Sequence, residues 1–139
     1  MSDDVTEYVQ HASDALCLNE PAGRHAFDLE ERTAQFGEAI IRFAKMVPRN
    51  CVTRTLIVQL VRAGTSPGSN YREANDTETR KDFRYRIGIC KRESKETCYW
   101  LRMIVAAEPV VEGDSQALKS EAIELTRIFV SILRNTVTN

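Results

Sequence analysis

The chain has little of what builds metal, redox or nucleophilic sites. Its two histidines, His11 and His25, lie in the first 26 residues, and neither belongs to a Cys/His zinc motif. A zinc site is therefore not expected. The four cysteines, Cys17, Cys51, Cys90 and Cys98, form no Cys-x-x-Cys pair. Cys90 and Cys98 stand about 12 Å apart along one helical stretch, too far for a disulfide. Cys51, Cys90 and Cys98 read as small buried residues, and Cys17 as exposed. There is no His-Glu-x-x-His, no Glu-x-x-His pair of the kind that holds a di-iron centre, and no Gly-x-Ser-x-Gly. Gly64-Thr-Ser-Pro-Gly68 lacks the Gly-Lys-Ser/Thr ending of a phosphate-binding loop, and Ser66 and Ser69 have no histidine partner after residue 26. No enzymatic activity and no cofactor are expected. No window approaches the 18 or so uncharged apolar residues of a membrane span, and the acidic start Met1-Ser-Asp-Asp4 is unlike a signal peptide. The expected location is the cytoplasm.

What is present is helical periodicity. A chain of 139 residues, 42% hydrophobic and 28% charged, has the size and composition of one globular domain. Residues 1–26 form an acidic arm closing in the breaker Pro21-Ala-Gly23, and Val5, Tyr8, Val9, Ala12 and Leu16 give it the spacing of either a short helix or a loose tail. The bundle domain is expected at residues 27–137. Asp28, with Glu31 three residues on, predicts the N-cap of the first helix. Phe36, Ile40, Phe43 and Val47 line one face of it, and Pro48 ends it. Asn50 predicts the cap of a second helix carrying Val52, Leu56, Leu60 and Ala63. Gly64, Pro67 and Gly68 predict a kink or break there, with Ser69 or Asn70 capping a restart. A third helix is expected from about Glu78 to Ala107, with Phe83, Ile87, Cys90, Ser94, Thr97 or Cys98, Leu101 and Ile104 or Val105 inward. Asp114 or Ser115 should cap a fourth, carrying Leu118, Ala122, Leu125, Phe129 and Ile132. No stretch reads as a strand. The expected fold is all-α, an antiparallel up-down four-helix bundle with a kinked second helix.

Charge is uneven along the chain. The net is −1, but residues 1–26 hold Asp3, Asp4, Glu7, Asp14 and Glu20 against Arg24, a local −4 that leaves +3 for the rest. Residues 77–102 carry eight basic side chains against four acids. Arg80, Arg84, Lys91 and Lys95 follow helical steps, with Lys81 and Arg92 beside them. Such a stripe can neutralise phosphates. It can equally be a solvated face laced with the pairs Glu78–Lys81, Asp82–Arg86 and Arg92–Glu96. Tyr99, Trp100 and Met103 lie beside the Leu101 stripe and suggest a subunit interface; a thick helix packing two neighbours is the alternative. Asn70 and Glu73 share a face where core is expected, as a structural polar network or as a ligand site.

Three segments carry a resemblance. Val61–Phe83, Asp28-Leu-Glu-Glu-Arg32 and Tyr99-Trp-Leu-Arg102 resemble the bacterial four helix bundle protein family, also called 23S rRNA-intervening-sequence proteins, over residues 27–135 or so. The family motif has an Asn and a Glu at Asn70 and Glu73, followed by Lys81-Asp82-Phe83. Pro67 departs from it, since a branched aliphatic is commoner there. The resemblance implies a ring-shaped homopentamer that acts as a scaffold, and some relatives are accessory proteins of diversity-generating retroelements that bind nucleic acid and a reverse transcriptase. Three readings follow. The first is an oligomeric accessory protein binding RNA, DNA or a nucleoprotein enzyme through the third helix. The second is a protein–protein adaptor without nucleic acid, and the third a small-ligand-binding bundle. The arm lies outside the resemblance and could cover the basic face.

Overall fold

The computed structural model describes residues 22–136, with side chains from Asp28 onward. The expectations for residues 1–21, His11 and Cys17 among them, fall outside the described residues, and His25 lies in the first helix with its side chain outside those described. The described chain folds as helix α1 (Ala22–Met46), α2 (Cys51–Asn75), α3 (Arg80–Ala107), a 3-10 turn (Pro109–Val111) and α4 (Glu112–Asn135), with no strand among the described residues. α1 packs on α2, α2 on α3 and α3 on α4, while the contact between α1 and α4 is slighter.

The first cap is misplaced in the sequence reading. α1 begins at Ala22, so Asp28 lies inside it. Nothing from Ala22 to Phe27 forbids a helix; the one poor former, Gly23, costs only about 1 kcal/mol. A capping preference in the sequence is no barrier to a helix already under way. Asn50 does cap α2, as expected. Its Oδ1 accepts from the Val52 and Thr53 amides at 2.9 and 3.0 Å, and Thr53 Oγ1 accepts from the Asn50 amide at 2.9 Å. α3 starts at Arg80, with Thr79 Oγ1 accepting from the Asp82 amide at 3.1 Å. α4 has no side-chain cap. It continues directly from the 3-10 turn, and Ser115 Oγ instead donates to the Glu112 carbonyl at 2.7 Å.

Of the kink or break expected in α2, the break is not there: the helix runs through Gly64, Pro67 and Gly68 without interruption. Asn70 caps no restart. The glycines are where α1 sits. A Cβ on Gly64 would stand 2.7 Å from Ile40 Cγ1, and one on Gly68 would stand 3.3 Å from the Thr33 carbonyl oxygen. Close approach of α1 therefore offsets the poor helix propensity of these residues. Pro67 is buried, and its carbonyl accepts the Cys90 thiol at 3.4 Å.

The core is as the periodicity predicts on α1, α3 and α4. Phe36, Ile40, Phe43, Ile87, Cys90, Leu101, Ile104, Ala122, Leu125 and Phe129 are all buried. Fully burying a Leu, Ile or Phe side chain contributes roughly 1.5–3 kcal/mol. On α2 the expected Leu60 and Ala63 are buried and Leu56 packs against the core, but the first position differs. Val52 is 63% exposed, and the inward position belongs to Thr53, whose hydroxyl donates to the Pro48 carbonyl at 2.7 Å. Cys51 is exposed and Cys98 half-buried, so of the three cysteines expected inside only Cys90 is fully buried. Burial pushes the Cys90 thiol up to about 12.

Candidate nucleic-acid interface

The two long sides of α3 differ in chemistry. The side facing α2 is paired. Arg62 of α2 reaches Glu93 at 3.1 Å and Glu96 at 2.9 Å. Arg86 donates to Asn70 Oδ1 at 3.1 Å, and Asn70 Nδ2 donates to the Ser66 hydroxyl at 2.9 Å and to the Ser66 carbonyl at 3.0 Å. Asn70 thus bridges Ser66 of α2 and Arg86 of α3. Glu73 is exposed and takes no part in that network among the described residues. The hydrogen bond from Arg62 draws the Glu96 carboxyl below its ordinary value, whereas burial, followed by the neighbouring Glu96, raises Glu93.

The outer side carries the basic residues. Lys91, Arg92 and Lys95 line one shallow groove of about 460 Å3 together with Tyr85, Gly88 and Ile89. Arg92 and Lys95 also line a second groove of about 540 Å3 beside Arg62, Glu93, Glu96 and Tyr99. Lys91 is half-buried and the other two are exposed. Lys81, Lys91, Arg92 and Lys95 form no ion pair with described residues. The expected partner of Arg92, Glu96, is bound to Arg62 instead. Arg80 and Lys81 are exposed near the start of α3, about 16 Å along the helix from Lys91.

Arg84 is placed differently from the other basic residues. It is half-buried, and its guanidinium donates to the Leu133 carbonyl at 2.5 Å and to Thr136 Oγ1 at 3.0 Å. It satisfies the open carbonyl end of α4. Of the six basic residues singled out, the fold brings Lys91, Arg92 and Lys95 together, leaves Arg80 and Lys81 at a distance, and turns Arg84 inward.

The aromatic residues also separate. Tyr99 is 52% exposed, while Trp100 is half-buried and packs against the core. Their rings meet edge-on, with centroids 5.0 Å apart. Met103 is half-buried. Among the described residues the buried Trp100 Nε1 has no hydrogen-bond partner. The structure adds Tyr85, which is 66% exposed, to the outer face. A sequence signal exists for it. Tyr85, Arg92 and Tyr99 recur every seven residues, as do Lys81, Gly88, Lys95 and Arg102, so each set runs along one side of the helix. Cations interleaved with exposed tyrosines can neutralise phosphates and offer ring faces to unpaired bases.

Among the described residues no cluster of His, Cys, Asp and Glu could hold a metal ion, and no helix is long and apolar enough to cross a membrane. Among the described residues, the fold and this surface define a helical protein with a cationic outer face on α3. The profile of the 23S rRNA-intervening sequence protein family matches residues 26–131, and the chain belongs to that family. A crystal structure of a protein of unknown function from the S23 ribosomal protein family of Bacteroides thetaiotaomicron is similar, with a TM-score of 0.69 and 25% identity. The match covers 78% of this chain and 97% of that one. Among curated proteins, none matches.

Proposed function

We propose that this chain is a non-enzymatic, oligomeric accessory protein that binds RNA or DNA through the outer face of α3. One observation carries the reading: Lys91, Arg92 and Lys95 converge on shared grooves without carboxylate partners among the described residues, between exposed Tyr85 and Tyr99. The family's name ties its members to 23S rRNA, which favours RNA as the first probe. Arg80 and Lys81 extend the same face, and Arg84 drops out because its guanidinium is used within the fold.

The bundle is proposed to be antiparallel. Asn50 meets Glu108, Arg62 meets Glu96, and Asn70 meets Arg86, so the order of contacts along α2 reverses along α3. Short connections between long helices favour the same arrangement. A ring of such chains, of which a pentamer is the form expected of the family, would repeat a modest local charge around one assembly. Tyr99 and Met103 remain available for that interface, whereas Trp100 is largely used in its own bundle. A protein–protein adaptor is the second reading, favoured by the exposed Val52 and Val58 at 63% and 62%. A small-ligand site at Asn70 and Glu73 draws no support, because Asn70 is occupied by Ser66 and Arg86.

The test is fluorescence anisotropy with labelled structured RNA and duplex DNA across a salt series, with oligomer mass read by light scattering. Lys91→Glu/Arg92→Glu/Lys95→Glu is expected to abolish binding at low salt while helicity is unchanged. If all three residues contact phosphates, removing them flattens the plot of log affinity against log salt by about 3 per protomer engaged. Equal affinity of the triple variant and the parent would overturn the reading, and an oligomer that binds neither nucleic acid at low salt would favour the adaptor.

A further inference from the structure

A third groove lies on the cationic edge, between α3 and α4. It encloses about 360 Å3 and is lined by Lys91, Lys95 and Cys98 from α3 and by Ile123, Arg127 and Val130 from α4. Its walls are mostly apolar: Cys98 and Val130 are half-buried and Ile123 is 37% exposed. Arg127 is paired with Glu124 at 3.1 Å, so Lys91 and Lys95 bring the uncompensated charge to its rim. An occupant must therefore be apolar on one side and acidic on the other.

The chain contains one such segment outside the described residues. In residues 1–21, Val5, Tyr8, Val9, Ala12 and Leu16 recur at three and four residues, which would gather them on one side of a helix. The segment holds Asp3, Asp4, Glu7, Asp14 and Glu20 and has no lysine or arginine. Its reach suffices. α1, which it precedes, lies against α4 through the Arg32–Glu121 pair at 2.6 Å. Glu121 and the groove residues Ile123, Arg127 and Val130 lie on opposite sides of α4, so the arm must pass around half the circumference of a helix 10–12 Å wide, about 16–19 Å. The six residues from Leu16 to Ala22 can span about 20 Å extended.

We infer that the acidic arm seats its apolar side in the α3–α4 groove and there competes with nucleic acid for Lys91 and Lys95. The competition rests on the nucleic-acid reading proposed above; the docking does not. A tethered arm has an effective concentration on the order of 1 mM. If its own affinity is on the order of 0.1 mM, it weakens nucleic-acid binding about tenfold.

The test uses the full chain with Cys51→Ser and Cys98→Ala, which keeps the groove wall apolar, leaving Cys17 to carry a nitroxide while Cys90 stays unreactive in the core. The spin label should broaden the methyl resonances of Ile123 and Val130 and spare those of Val52 and Val58 on α2. The broadening should fade in about 0.5 M salt, where the Debye length is roughly 4 Å. It should also fade when Asp3, Asp4, Glu7, Asp14 and Glu20 are changed to their amides. That neutralised arm should raise RNA affinity about tenfold at low salt. Broadening absent from Ile123 and Val130, in a chain whose RNA binding still depends on Lys91 and Lys95, overturns the docking and leaves the nucleic-acid reading standing. Broadening confined to the groove, with no RNA bound by any variant, upholds the docking and removes the nucleic-acid reading. Unchanged RNA affinity of the neutralised arm, with broadening present, overturns the competition.

Discussion

The two long sides of α3 carry comparable numbers of charges and use them in opposite ways. Toward α2, the cation Arg62 sits between two carboxylates, and the Asn70–Arg86 network lies further along the same seam. On the outer side, Lys91, Arg92 and Lys95 have neighbours but no carboxylate partners among the described residues. A helix with many charges is thus not one kind of surface. Charges that meet a partner across a seam are consumed in assembling the bundle, and those that remain are available to something else.

The same contrast appears in two helical glycines. Gly64 is enclosed, with Ile40 where its Cβ would go, whereas a Cβ on Gly88 would meet nothing within 4 Å. One substitution at both positions should therefore act with opposite sign. Gly64→Ala gains about 1 kcal/mol of helix propensity but overpacks a site where Ile40 is fully buried and cannot swing away, so a net loss of roughly 1–2 kcal/mol is expected, seen as a melting temperature lower by several degrees. An unchanged or higher melting temperature would mean that α1 does not sit on these glycines.

Arg62→Ala probes the paired side of α3 at an expected cost of about 1 kcal/mol, modest because the guanidinium is partly solvated. Its effect on titration is more specific. In the parent, burial raises the Glu93 carboxyl, so its charge opposes folding at neutral pH and that penalty is relieved as pH falls through the raised value. Glu96 is drawn down by Arg62, so its charge contributes stability above the unfolded value, lost only as pH falls through the lowered one. On acidification Glu93 should take up a proton before Glu96, and Arg62→Ala should move both titrations to higher pH. Carboxyl carbon shifts followed by NMR would show this, and the reverse order of titration would break the account of the seam. The smallest effect is expected at Gly88→Ala, a gain of up to about 1 kcal/mol, since the new methyl enters open space and only propensity counts. A loss measured there on the isolated protomer would show that the outer face is more crowded than the structure has it.

Much of the fold was legible in the residues. Steps of three and four placed the inward faces of α1, α3 and α4, because burying an apolar stripe is the largest favourable term available to a helix and leaves a periodic mark. Asn50 announced the start of α2, since orphan amides there need an oxygen partner close in sequence. α2 was legible only in part. Leu60 and Ala63 are inward as their spacing predicts, but the same face includes Thr53, Gly64, Pro67 and Gly68, residues that a count of apolar positions passes over and of which local propensity scores the last three as breaks. Of the candidate interface, the residue types and the seven-residue recurrence of Tyr85, Arg92 and Tyr99 were present in the sequence. The removal of Arg84 to the end of α4 was not, because its partners, Leu133 and Thr136, lie about fifty residues away.

The sequence alone therefore determined that this chain is helical, where its apolar stripes run and how its charge divides between an acidic arm and a basic third helix, since each of these depends on residues a few positions apart. Only the tertiary structure decided that α2 passes unbroken through Pro67, that the glycines seat α1, and which basic residues stay outside. Those outcomes depend on which side chain from a distant segment arrives opposite, and a helix-period pattern carries no information about its partner.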